Sequence, residues 1–197
     1  MKEGHKTRNV VLCVLGVSVF LIAVVVFAFF MFFREQKANV REVVSKNVVS
    51  MNYKTATNTF ALNNLTSMNN ETGKSLRDEG SYFDFSVSSE VSNDDSVKYE
   101  IALIKDKSST ISDSDIVVYL EKQNSGTYAK VTEPEAFTPI KKKTNLGSPA
   151  KSMVLNRVSL SSDRVDNYRL RMWVREGAVI DPAGTYSVQV KVYGKVS

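Results

Sequence analysis

VSLSSDRVDNYRLRMWV, residues 158–174, is the stretch on which the fold turns. From Tyr168 the side chains alternate. Tyr168, Leu170, Met172 and Val174 fall on one side of an extended chain, and Arg169, Arg171 and Trp173 fall on the other. A period of two marks a strand with one face turned to a core. The same period recurs on both sides of this stretch. Phe83, Phe85 and Val87 alternate with Asp84, Ser86 and Ser88, and Val97, Tyr99, Ile101 and Leu103 with Lys98, Glu100 and Ala102. Ile116, Val118 and Leu120 lead to a turn at Asn124-Ser125-Gly126, followed by Tyr128 and Val131. Val154, Val158 and Leu160 mark a strand around 152–160, and Tyr186, Val188, Val190 and Val192 mark the last one. Short strands at this spacing predict a mainly β chain, an antiparallel β-sandwich over residues 82–197.

Within the opening stretch, Tyr168 precedes the apolar Leu170 by two residues and follows Asp163 and Asp166. This resembles the tyrosine corner of immunoglobulin-like sandwiches, with Leu170 where a disulfide cysteine would sit. The resemblance covers about fifteen residues. It implies an immunoglobulin-like sandwich, although the cysteine pair is absent and Trp173 lies on a late strand. A jelly roll is the competing topology.

Far upstream the chain changes character. Residues 10–33, VVLCVLGVSVFLIAVVVFAFFMFF, carry no charge, and Ser18 is the one clearly polar residue. As a helix these 24 residues would span about 36 Å, against a hydrocarbon core of roughly 30 Å. The run is longer than a signal peptide's apolar region and ends Phe-Phe-Arg, with no small-residue cleavage site. It therefore reads as a retained anchor in the lipid bilayer. Lys and Arg number three on each flank, so the positive-inside rule nearly ties. The short tail 1–9 favours an internal N-terminus and an exported C-terminal domain. Cys13 is the one cysteine and lies inside the run. A cysteine-free exported domain forms no internal disulfide, which fits a bacterial surface.

Residues 34–80 read as a juxtamembrane stalk and linker. Val40, Val44, Val48 and Met51 recur at helical spacing, so residues 35–65 are expected to be helical at least in part. The β-branched, Asn-rich TATNTF that follows Met51 leaves an extended segment open. Gly73 and Gly80 in the polar stretch 66–80 suggest a linker.

The chemistry available is narrow. The net charge is +5, and residues 81–197 contribute only +1 of it. A nucleic-acid role has little electrostatic support. The single histidine, His5, lies in the tail. That excludes Ser-His-Asp and Cys-His catalysis and any His- or Cys-ligated zinc site from the sandwich. The acidic pairs Asp94–Asp95, Asp113–Asp115 and Asp163–Asp166 fall in turns, where Asp bonds locally. No cofactor, metal site or catalytic residue is expected, and the chain reads as a non-enzyme.

Two groups are candidates for binding a partner. Arg169, Arg171 and Trp173 share one sheet face and form an Arg–aromatic stripe. The same stripe is also what an outer face looks like when arginine stems cover a tryptophan. Lys141, Lys142 and Lys143 form a basic loop that suits an anionic wall polymer or lipid headgroups, or simply water. The expected role is recognition, adhesion or assembly outside the cell, with an extracellular protein, an anionic wall polymer or a second copy of the chain as partner. The alternative is a filament or envelope subunit whose segment 38–60 adds as a strand to a neighbour's sheet.

Overall fold

In the computed structural model, residues 42–45, 49–53, 57–78, 80–91 and 96–196 are described. The expectations for the tail, for the apolar run 10–33 and for Asp94 and Asp95 fall outside them. Among the described residues, no helix is long and apolar enough to cross a membrane.

The strands are β1 (Glu42–Ser45), β2 (Val49–Tyr53), β3 (Thr59–Ala61), β4 (Ser67–Met68), β5 (Tyr82–Ser89) and β6 (Val97–Lys105). They continue with β7 (Ile116–Asn124), β8 (Thr127–Lys130), β9 (Glu135–Ala136), β10 (Ser152–Leu160), β11 (Arg164–Arg175) and β12 (Ser187–Val196). One short helix, α1 (Asn70–Ser75), precedes β5. They form two sheets. Sheet A runs β1-β2-β5-β11-β7-β8, with β4 beside β11 and β9 beside β7, and sheet B runs β10-β6-β12-β3. Pairing is antiparallel except where β4 runs parallel to the end of β11.

The alternation read from the sequence sets the two faces. Leu170 lies opposite Phe83 on one side and Leu120 on the other, and all three point inward. From sheet B, Tyr99, Ile101 and Leu103 meet them with Val188, Val190 and Val192. Phe60 of β3 packs on Phe83 across the two sheets at 6.0 Å. Each such large side chain contributes about 1.5–3 kcal/mol when removed from water. The β7–β8 hairpin turns at Ser125 and Gly126 with φ of 48° and 86°. Asn124 pairs with Thr127 around them, the geometry of a two-residue hairpin that asks for positive φ at both positions.

Two expectations need correction. Residues 42–45 and 49–53 are strands and not helix. Three- to four-residue apolar spacing also fits extended chain when pairing partners are close, and β2 pairs with β5 from Val49↔Ser89 to Tyr53↔Phe85. Met51 and Tyr53 are buried in the common core. Residues 42–78 therefore contribute strands to both sheets instead of forming a stalk beside them, and the sandwich begins well before residue 82. The stretch 66–80 holds β4 and α1 as well as connecting chain.

The tyrosine-corner resemblance also gives way. In such a corner the hydroxyl reaches backbone a few residues upstream. Here Tyr168 Oη meets Tyr99 Oη at 2.8 Å, and Tyr99 Oη donates to Asp166 Oδ2 at 3.2 Å. Asp166 is held by Lys122 at 2.9 Å and Arg164 at 2.7 Å. This buried group ties β6 of sheet B to β11 of sheet A. Burial pushes the Tyr168 phenol up to about 12 and the Tyr99 phenol further.

Candidate functional site

The outer face of sheet A carries Arg169, Arg171 and Trp173, as the alternation requires, but the three end in different surroundings. Register places Asn167 beside Ser86, Arg169 between Asp84 and Glu121, Arg171 between Tyr82 and Tyr119, and Trp173 beside Val117. The face thus grades along the strands from neutral polar, through charged, to apolar.

The apolar end is closed. Trp173, Val117 and Tyr119 form a second small core, with Met68 and Leu76 packed against it. Trp173 is fully buried. Helix α1 lies directly on the indole, because an added Cβ on Gly73 would run into the ring. The Asn69 side chain caps α1 by accepting from Thr72 N at 2.9 Å. Trp173 is therefore a packing residue and cannot touch a partner. This revises the expectation that it lines a binding stripe. The cover is a segment about a hundred residues upstream rather than the arginine stems.

The charged middle is held rigidly. Arg169 makes a two-pronged ion pair with Asp84, Nε to Oδ1 at 2.7 Å and Nη2 to Oδ2 at 2.9 Å. Its guanidinium lies over Tyr82 at 4.0 Å and over Tyr128 at 4.2 Å from the ring centres. The hydrogen bonds to Asp84 hold the guanidinium above its usual pKa range. Arg171 is 5% exposed, pairs with Glu121 at 2.9 Å and donates to the Leu76 carbonyl at the end of α1. Both arginines organise the face. Arg171 is largely sealed in, and Arg169 keeps one side toward solvent.

What stays open are two clefts that share Tyr128. One has a volume of about 420 Å³ and includes Lys74, Arg77, Tyr82, Glu121, Arg169 and Arg171. The other, about 350 Å³, is lined by Asn52, Asp84, Ser86, Gln123 and Asn167 with Tyr53 and Phe85. Asn167 Nδ2 donates to Gln123 Oε1 at 3.2 Å, joining β11 to β7 at the cleft floor. Planar amides, a guanidinium and half-exposed tyrosines on one rigid sheet suit recognition of a polar ligand. Tyr82, Tyr128, Asn52 and Arg77 escaped the sequence reading. The alternation put Arg169 on this face, but only the register reveals which tyrosines flank it.

Lys141, Lys142 and Lys143 are exposed on a loop over sheet B, away from the sheet A face. That loop is anchored by Glu100, a fully buried carboxylate on β6. Glu100 accepts from the Thr144 hydroxyl, from Ser148 N at 3.2 Å and from Arg157 Nε at 3.1 Å. Burial works to raise its pKa, but these hydrogen bonds outweigh it and hold the carboxyl below the usual range.

The turn carboxylates are bound in local structure. Asp113 accepts from Tyr186 Oη at 3.2 Å and pairs with Lys105 at 2.7 Å. Asp115 pairs with Arg175 at 3.4 Å, and Asp163 accepts from Val91 N at 2.7 Å.

No family model and no curated protein matches the chain. Among solved structures it is similar to a β-glucosidase from Kluyveromyces marxianus in complex with glucose, at 14% identity and a TM-score of 0.25. That match covers 56% of this chain and 11% of the other, so this chain spans a small fraction of the protein it resembles.

Proposed function

We propose that the chain is a membrane-anchored, non-enzymatic surface protein that uses its sandwich to recognise a partner outside the cell. Residues 10–33 act as the anchor, the N-terminus stays inside, and the sheet A clefts are the recognition surface. We read the sandwich as a jelly roll. This is supported by the long strands β5, β6, β7, β10, β11 and β12, each of which lies in the opposite sheet from the one before it.

The observation that carries the functional reading is the rigid stack Tyr82–Arg169–Tyr128, with an open cleft on each side of Tyr128. Preorganised aromatic and guanidinium groups lose little entropy on binding. The partner class is an extracellular protein or an anionic wall polymer, because Arg77 leaves a positive charge on the rim of the larger cleft, where Lys74 is paired with Glu71. Strand donation by segment 38–60 is less well supported, since β2 and β3 already complete this chain's own sheets.

The test is retention of isolated cell envelope on the immobilised full-length chain. Tyr128→Ala and Arg77→Glu should each reduce retention at least about fivefold, as expected for residues in a binding hot spot. Equal retention by both variants and the wild type would rule the clefts out.

A further inference from the structure

The outer face of sheet B holds a further pocket, apart from the sheet A clefts. Strands β6 and β12 are in register so that Lys98 lies directly opposite Lys195. Like charges at directly opposed positions destabilise a strand pair. Both lysines are exposed, and among the described residues neither meets a carboxylate. On the other side of Lys98 lies Ser159 of β10, and Arg157 stands two residues before it, opposite Glu100.

The loop 140–148 supplies the remaining wall. Its hydrogen bonds to Glu100 hold it across the sheet, and Gly147 lies close to Tyr193 of β12. Asn145 and Leu146 thereby face Lys98, Arg157, Ser159 and Lys195 around a pocket of about 300 Å³. The groups offered to this pocket are mostly donors: two ammonium groups, a guanidinium, an amide and a hydroxyl. The nearby carboxylate, Glu100, is fully buried and already accepts from Thr144, Ser148 and Arg157. Glu100 offsets Arg157, so among the described residues the two lysines leave the pocket with two uncompensated positive charges. Lys141, Lys142 and Lys143, on the same loop, add to the positive field.

We propose that this pocket binds a dianionic phosphate group, presented free or as a phosphomonoester headgroup in a membrane. A dianion matches the two unpaired lysines, and three acceptor oxygens match donors arriving from β6, β10, β12 and the loop. A carboxylate can bridge both ammonium groups but carries a single negative charge, half of what the two lysines ask for.

The binding should depend on pH through the ligand. A phosphomonoester loses its second proton near pH ~6. The charged groups around the pocket are Lys98 of β6, Arg157 of β10, Lys191 and Lys195 of β12, the loop lysines, and Glu100 beneath Arg157. Glu100 stays ionised, since its hydrogen bonds hold it below the usual carboxylate range.

The experiment is thermal unfolding of the full-length chain in phosphatidylcholine nanodiscs, titrated with inorganic phosphate or chloride at matched ionic strength. A parallel arm places phosphatidic acid in the nanodisc. The expected result is a saturable rise in Tm with phosphate or with phosphatidic acid that chloride does not reproduce. Free phosphate acting alone assigns a soluble ligand, and phosphatidic acid acting alone assigns a headgroup. The midpoint concentration should rise about tenfold or more in Lys98→Gln or Lys195→Gln, and binding should weaken as pH falls from 7.5 to 5. The variants should also unfold at a slightly higher Tm without ligand at low salt, because the like-charge pair is gone. Tyr128→Ala should leave the titration unchanged. No saturable rise in either arm, or an equal rise in the lysine variants, overturns the proposal.

Discussion

Trp173 and Gly73 make one contact with two halves. The indole is outward-facing by parity, yet it is fully buried because α1 lies against it where Gly73 has no side chain. Gly73→Ala would push a methyl group into the ring, and overpacking of this kind costs about 1–3 kcal/mol. Urea unfolding should show that loss. Trp173→Ala should cost more, about 3–5 kcal/mol, since it empties the small core with Val117 and Tyr119. Arg169 makes a different point. Its planar fork satisfies both oxygens of Asp84 while lying between two rings. Arg169→Lys keeps the charge and loses the fork and the stacking, so a loss of about 1–2 kcal/mol is expected from the same measurement. The alternation in YRLRMWV told which face Trp173 takes. It could not tell that a glycine so far upstream would close that face, because the contact depends on where α1 lands.

At the scale of elements, the strands with clean two-residue alternation were legible, from β5 and β6 through to β12. Ser152–Leu160 and the Asn124–Thr127 turn appear in the structure where the residues put them. The segment 42–68 was not legible as strand. Its strands are two to five residues long, too short to display a period, and they owe their form to neighbours: β2 to β5, β3 to β12 and β4 to β11. The loop 140–148 is likewise defined by a distant residue, Glu100. Its carboxyl has a lower pKa in the folded chain than in the unfolded one. The stabilisation it provides is therefore complete above the unfolded pKa and is lost as pH falls through the folded value, below the usual carboxylate range. Hydrogen exchange at the Gly147 and Ser148 amides should accelerate there, compared with other protected amides. In Glu100→Gln their exchange should already be faster at neutral pH and insensitive to acid.

For the whole molecule, the two sheets draw strands from both sides of residue 82. A fragment 82–197 lacks Met51, Tyr53 and Phe60, all buried against Phe83 and its neighbours. It also lacks α1, which covers Trp173. Each such buried side chain is worth about 2–5 kcal/mol when truncated, and marginal domain stability is only about 5–15 kcal/mol. The fragment should give no cooperative thermal transition, whereas residues 39–197, which form one compact unit, should unfold in a single step. The recognition role rests further on which side of a membrane that unit occupies. Protease access on intact cells carrying the full chain with a C-terminal tag tests this most directly. The account predicts loss of the tag while a cytoplasmic control protein survives. A tag protected on intact cells and cut only after lysis, in cells whose wall has been removed, would contradict an exported sandwich and with it recognition outside the cell.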